Sequence, residues 1–249
     1  MAAKAPRQRV DRLMVERGLA PSRERAQAML LAGRVRLGEQ RIDKPGTMIP
    51  EDAALTLAED PCPYVSRGGL KLASVITALG VDPAGRVCLD LGSSTGGFTD
   101  LLLQRGAARV WAVDVGHHQL HERLRADPRV LSREGVNARL GLREVVTEPV
   151  SLVVIDVSFI GLGKVLPAVR EVLAPGAEVL AMVKPQFELG PALVKGGVVR
   201  DDALRKQAVD GVSAAAAALG LRERGRAESE VHGPSGNREV FLHLVAPPG

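Results

Sequence analysis

The stretch "RVCLDLG" at residues 86–92, continued by "SSTGGF" at 93–98, decides how the chain is read. A short apolar run closed by glycine is the length of a buried strand, and the glycines at 92, 96 and 97 let the backbone turn tightly before "TDLLLQ" resumes as a helix. Working outward, the same unit recurs. "RVWAVDV" (109–115), "PRVLS" (128–132), "SLVVID" (151–156) and "EVLAMVK" (178–184) are apolar runs separated by helical segments or Gly/Pro breaks, and "NREVFLHLV" (237–245) ends the series. "DDALRKQAVDGVSAAAAALG" (201–220) predicts a long helix stopping at Gly220. Alternating strands and helices predict an α/β fold with a mostly parallel sheet covered on both sides.

Ligands of such sheets bind beyond the carboxyl ends of the strands, so the residues that end each run carry the chemistry. Gly92 is followed by Ser93, Ser94, Thr95, Gly96 and Gly97, which is not the G-x-G-x-x-G spacing that lets backbone approach a pyrophosphate. An acidic strand end at Asp90 beside a glycine loop, closed by Phe98, suits a cationic, phosphate-free ligand, and S-adenosylmethionine fits. Asp114, ending the second run, can accept the ribose hydroxyl protons of a nucleoside; Asn137 after the third is placed to hold the adenine or simply to make a turn.

Lys184 ends an apolar run with Pro185 directly behind it. A lone lysine there is usually a snorkelling side chain. Asp156 ends the neighbouring run, Glu239 enters the last, and Lys71 lies on a helix before the first strand, so two ammoniums and two carboxylates are expected at one sheet edge. Such a set suits methyl transfer to a ribose 2′-hydroxyl, with Lys184 as base, the carboxylates orienting the lysines, and no metal. Asp156 is a candidate on the cofactor side as well.

Ahead of this unit, "VDRLMVERGLA" puts Val10, Leu13 and Met14 on one helical face, and "SRERAQAMLLAG" opens on Ser22 as N-cap and stops at Gly33. "RVRLGEQRIDKPG" alternates around Gly38 as a hairpin would. Residues 1–45 hold eleven Lys/Arg against five Asp/Glu, while the whole chain of 249 residues carries only +4. The positive charge is local and favours a polyanion. Arg7, Arg9, Arg12, Arg23, Arg25, Arg34 and Arg36, with Arg67 further on, are the candidate RNA-contacting arginines. With a single Trp and a single Tyr, phosphate and shape contacts are expected rather than base stacking. Domain boundaries are expected at 1–60 and 67–249, with a Pro-rich linker at 61–66 containing Cys62.

Two cysteines exclude a disulfide framework, and no Cys/His cluster has metal-ligand spacing. The start lacks a signal-peptide core and no run reaches the roughly 18 apolar residues of a membrane span, so a cytoplasmic protein without membrane partners is expected.

Residues 8 to about 58 resemble an S4 RNA-binding domain. "YVSRGGLKL", "VCLDLGSSTGGFTDLLLQRGA", "VWAVDVG", "LVVIDVSFI", "VKPQFELG" and "KGGVVRD" resemble the hemolysin A (TlyA) family of ribosomal RNA methyltransferases, in which an S4 domain precedes an FtsJ-like catalytic domain. The resemblance implies a Rossmann-like class I methyltransferase fold, 2′-O-methylation of ribosomal RNA cytidines using S-adenosylmethionine, ribosomal subunits as partners, and Lys71, Asp156, Lys184 and Glu239 as the catalytic set. "HHQLHER" and "REGVN" depart from the family pattern, which touches His117, His118 and Glu134 on the adenosine side. "HGPSGNREVF" keeps the Gly-x-x-Gly-Asn turn before Glu239. The rival expectations are a non-catalytic S4-type RNA-binding protein and a membrane-lysing hemolysin.

Overall fold

The computed structural model describes residues 6–31, 33–58, 62–194, 196–231 and 236–249. Ala32, Asp60, Pro61, Lys195 and the turn residues Gly233, Pro234 and Ser235, all read above, lie outside them. The chain forms two compact units, Met1–Pro63 and Tyr64–Gly249.

In the first unit, β1 (Arg7–Arg9) leads into α1 (Val10–Glu16) and α2 (Arg23–Leu31), followed by β2 (Val35–Leu37), β3 (Gln40–Ile42), β4 (Met48–Pro50) and β5 (Leu55–Leu57). Val10, Leu13, Met14, Ala26, Met29 and Leu30 close the helix pair over one small core, as their spacing predicts. Ser22 starts α2, its Oγ accepting from the Arg25 N–H at 3.2 Å. The hairpin around Gly38 pairs Val35 with Ile42, and β5 adds a third strand on the other side of β2. β1 and β4 pair separately. The alternation around Gly38 thus marks β2 and β3, whereas β1, β4 and β5, three residues each, are too short to show a period.

The second unit begins with α3 (Arg67–Ile76), then β6 (Val87–Leu91), α4 (Gly97–Gln104), β7 (Arg109–Val113), α5 (Glu122–Arg125), β8 (Val130–Arg133), β9 (Val150–Ile155), α6 (Leu166–Val172), β10 (Leu173–Val183), α7 (Pro185–Glu188), α8 (Asp202–Ala218), β11 (Arg222–Glu228) and β12 (Val240–Val245). The sheet runs β11-β12-β10-β9-β6-β7-β8. β8, β7, β6, β9 and β10 are parallel; β12 runs against them, and the edge strand β11, antiparallel to β12, runs in their direction again. Two buried clusters, one on each face, sandwich the sheet, which is the expected α/β architecture.

One expectation needs correction. Tyr64 and Val65 are not free linker: Tyr64 packs against the second unit's core, and the Val65 N–H donates to buried Asp100 at 2.8 Å. "RERGRAE" carries no apolar run in the sequence, yet it forms the edge strand β11, where only one side of the strand is covered and charged residues are tolerated.

Candidate active site

β7 and β8 extend from one side of β6, β9 and β10 from the other, so the connections diverge between β6 and β9 and leave a crevice beyond their ends. Gly92 occupies that point with φ +85°, and a Cβ there would run into the carbonyl oxygen of Asp156. Only glycine lets the two strand ends lie this close. The Ser94 N–H donates to Asp114 Oδ2 at 2.8 Å and the Gly116 N–H to Oδ1 at 2.7 Å. Asp114 is thus fixed by backbone while each oxygen keeps a lone pair to offer. Beside it opens a cavity of about 520 Å³ with Leu91, Val113, Val136 and Ile160 as walls and Asp114 and Asn137 as polar points. A second recess, about 260 Å³, lies between the glycine loop at Ser93–Thr95, Gly97 and Phe98 and the start of α3 at Arg67.

The third cavity, about 550 Å³, collects all four expected catalytic side chains. Lys184 follows β10, which stops because Pro185 cannot continue it. β12 runs antiparallel with Val240 opposite Val183, so the same register sets Glu239 beside Lys184 at the carboxyl rim of the parallel strands. Lys71 Nζ pairs with Glu239 Oε2 at 2.6 Å, and Lys184 Nζ with Asp156 Oδ1 at 2.5 Å. Glu239 is 2% exposed and Lys184 7%. Buried charges at this depth require partners, and each has one. Asp156, together with Gly92 and Ser94, borders all three cavities and is their junction.

Several expected residues are placed otherwise than their motifs suggest. Asp90 lines none of these three cavities: strand alternation turns it inward, where Oδ2 accepts from the Thr99 N–H at 2.8 Å and from Thr99 Oγ1 at 2.6 Å at the start of α4. Burial pushes its pKa up to about 7 against those bonds, and Asp156 and Asp114 add to the rise. Asp90 therefore braces the glycine loop from behind. Gly96 likewise lines none of the three cavities; its left-handed backbone sits against Leu124. Asn137 does both things considered for it, bordering the first cavity and accepting from the Arg139 N–H at 3.1 Å. Glu134 accepts from the His118 and Gln119 N–H groups, so it ties the loop after β7 and borders none of the cavities. Arg67 sits in the recess beside the glycine loop, in the second unit.

In the first unit, Arg9, Arg23 and Gln27 all donate to the carboxylate of fully buried Asp11, at 2.9–3.0 Å. The Arg9 bonds hold Asp11 well below the usual carboxylate range despite its burial. These two arginines are structural as well as basic.

Two residues of the site were not read from the sequence. Ser158 Oγ lies 2.8 Å from Lys184 Nζ as a second partner of the ammonium. Phe159 is 90% exposed, with φ +64°, and packs against Phe187 at 5.1 Å between ring centres, tilted by 47°, beside the third cavity. An aromatic face is thus present where none was expected. "DVSFIG" offered only a weak signal: a polar and an aromatic residue just past a strand end.

Sheet order, glycine loop and strand-end carboxylates define a Rossmann-like methyltransferase fold of the S-adenosylmethionine-dependent kind. Residues 64–246 match the FtsJ-like methyltransferase family and residues 8–54 the S4 domain. The chain belongs to the FtsJ-like methyltransferases, in the TlyA (hemolysin A) branch that carries an S4 domain. It is 47% identical to the 16S/23S rRNA (cytidine-2'-O)-methyltransferase TlyA of Mycobacterium tuberculosis over 96% of this chain and 90% of that protein. It is 36% identical to Hemolysin A of Brachyspira hyodysenteriae over 95% and 99%. A solved structure of a hemolysin-named protein from Streptococcus thermophilus aligns with TM-score 0.76 at 40% identity, covering 98% of this chain and 90% of that one.

Proposed function

We propose that the protein transfers a methyl group from S-adenosylmethionine to the 2′-hydroxyl of cytidine in ribosomal RNA. The observation that carries this is the pair of lysine–carboxylate contacts sharing one cavity at the rim, next to the glycine loop. The apolar walls and polar points of the first cavity suit a nucleoside, with Asp114 for ribose hydroxyls and Asn137 for the base, and the Ser93–Gly97 loop for the amino-acid end. S-adenosylmethionine supplies a methyl group already activated on a sulfonium, so no metal is needed.

The chain's own residues manage the proton. Lys184, starting as the neutral amine, takes it from the 2′-oxygen as the new carbon–oxygen bond forms and the methyl's carbon–sulfur bond breaks, the donor leaving as the neutral thioether S-adenosylhomocysteine; the ammonium so produced is stabilised by Asp156. Asp156 and Ser158 engage two directions of Nζ, which leaves the remaining one for the substrate hydroxyl. Lys71, held by Glu239, adds positive charge opposite the developing oxyanion. The TlyA and rRNA-methyltransferase relatives support ribosomal RNA as the substrate and ribosomal subunits as the partner, and Phe159 on Phe187 suits an unpaired base at the cavity mouth. Among the described residues no helix is long and apolar enough to cross a membrane, and nothing in the site favours lysis.

The test is mass-spectrometric mapping of ribose methylation in ribosomal RNA incubated with the protein and S-adenosylmethionine. A new 2′-O-methylcytidine is expected with the parent and none with Lys184→Ala. Methylation on a base, or undiminished product from the variant, rejects the assignment.

A further inference from the structure

Gln186 follows Lys184 and Pro185 into the short helix α7, and its side chain lines the third cavity beside Phe159 and Phe187. Its Oε1 is buried and accepts no hydrogen bond from any of the described residues. The charged groups around it are engaged, Lys71 with Glu239 and Lys184 with Asp156 and Ser158. Asn237, the other carboxamide of this cavity, is used at both ends: Oδ1 accepts from the Val199 N–H and Nδ2 donates to the Gly197 carbonyl, each at 2.9 Å. Buried acceptors are nearly always bonded, and one left unpaired forfeits a hydrogen bond. The surroundings of Gln186 are braced. Glu188 Oε1 accepts from the Leu162 N–H at 2.9 Å, which ties α7 to the loop that carries Phe159, and the Phe159–Phe187 contact closes the same junction.

We infer that Gln186 recognises the target base, its Oε1 accepting from the exocyclic 4-amino group of the cytosine whose 2′-hydroxyl faces Lys184. A base packed on the Phe159 ring turns its edge towards the neighbouring side chains, and on that edge cytosine carries an amino donor where uracil carries an oxygen. The last torsion of a glutamine is broad, so a turn of the amide presents Oε1 to the cavity. The hydrogen bond that the protein does not supply to Oε1 then comes from the substrate. Gln186 moves no proton; by holding the base it sets the attached ribose in line for attack. The inference rests on the proposed cytidine methylation and adds the side chain that selects the base.

The experiment uses the full chain, S-adenosylmethionine and ribosomal RNA ligated to carry, at the mapped position, either cytidine or its 4-deamino analogue, a 2-pyrimidinone riboside. The parent is expected to methylate cytidine with kcat/KM about tenfold or more above the analogue, since a group built to accept a hydrogen bond rejects a base that cannot donate it. Gln186→Leu is expected to lose about tenfold on cytidine and to treat the two substrates alike, with the parent's melting temperature and affinity for S-adenosylmethionine. Gln186→Glu keeps an acceptor and is expected to retain the preference for cytidine. A parent that methylates both substrates equally, or a Gln186→Leu variant that keeps the parent's preference, overturns this contact and leaves the proposed function standing. A parent that methylates no ribose overturns both.

Discussion

At the scale of single residues, the proposed base, Lys184, is held from two sides, by Asp156 and Ser158. Losing Lys184 as a base is expected to lower kcat by about 10² to 10⁴ while calorimetry shows cofactor binding intact. Ser158 acts by positioning, so Ser158→Ala is expected to lower kcat by about tenfold or more, the cost of one hydrogen bond to a charged group, with cofactor affinity unchanged and Ser158→Thr restoring the rate. Equal loss in the Thr variant would point to the loop's shape instead. Asp90 governs stability. Its folded-state pKa is raised, so the unfolded chain gives up its proton first, and stability falls as pH rises from about 4 towards 7 and is level above. Urea melts of Asp90→Asn should lose that slope, which amounts to roughly 1.4 kcal/mol per pH unit, because Asn keeps an oxygen for Thr99 and carries no charge. A slope identical to the parent's would place the titration elsewhere.

At the scale of elements, two junctions set the geometry. The strand ends at Gly92 and Asp156 are closed by the lack of one side chain, so Gly92→Ala is expected to cost several kcal/mol or to abolish cofactor binding by prising β6 from β9. Asp11 ties β1, α1 and α2 together; its depressed pKa means the stability it gives is present above about pH 4 and lost as pH falls below that. Asp11→Ala is therefore expected to lower the melting temperature at pH 7, and by progressively less as the pH is brought down from about 4 towards 2. The five parallel strands were legible because buried strands are continuous apolar runs ended by Gly, Asp or Lys. β11 was not, since an edge strand reads as a polar segment, and the contrary direction of β12 has no sequence mark; it appears only in the pairing of Val183 with Val240. For the same reason Asp90 and Asp114, alike as strand-end acids, were not separable until the pleat put one inside and the other at the crevice.

For the whole molecule, the S4 unit and the methyltransferase unit each have their own core, which supports a division between gripping RNA and doing chemistry. Deleting residues 1–63 is expected to weaken ribosomal RNA binding at least tenfold and to leave S-adenosylmethionine affinity within about twofold, measured by filter binding and calorimetry. Equal RNA affinity in the shortened chain would place the grip in the second unit. Basic charge in residues 1–45 points to such a grip but not to which arginines are tied to Asp11, because the Asp11 contacts join residues up to sixteen positions apart.

The reversed last strand has a consequence for the life of the chain. Lys71 emerges early in synthesis, whereas its counter-charge Glu239 lies 168 positions later in the chain. A chain interrupted between the two positions would leave a desolvated ammonium unmatched. Such a chain is therefore expected to lack methyl transfer, since the proposed Lys71–Glu239 pair never forms.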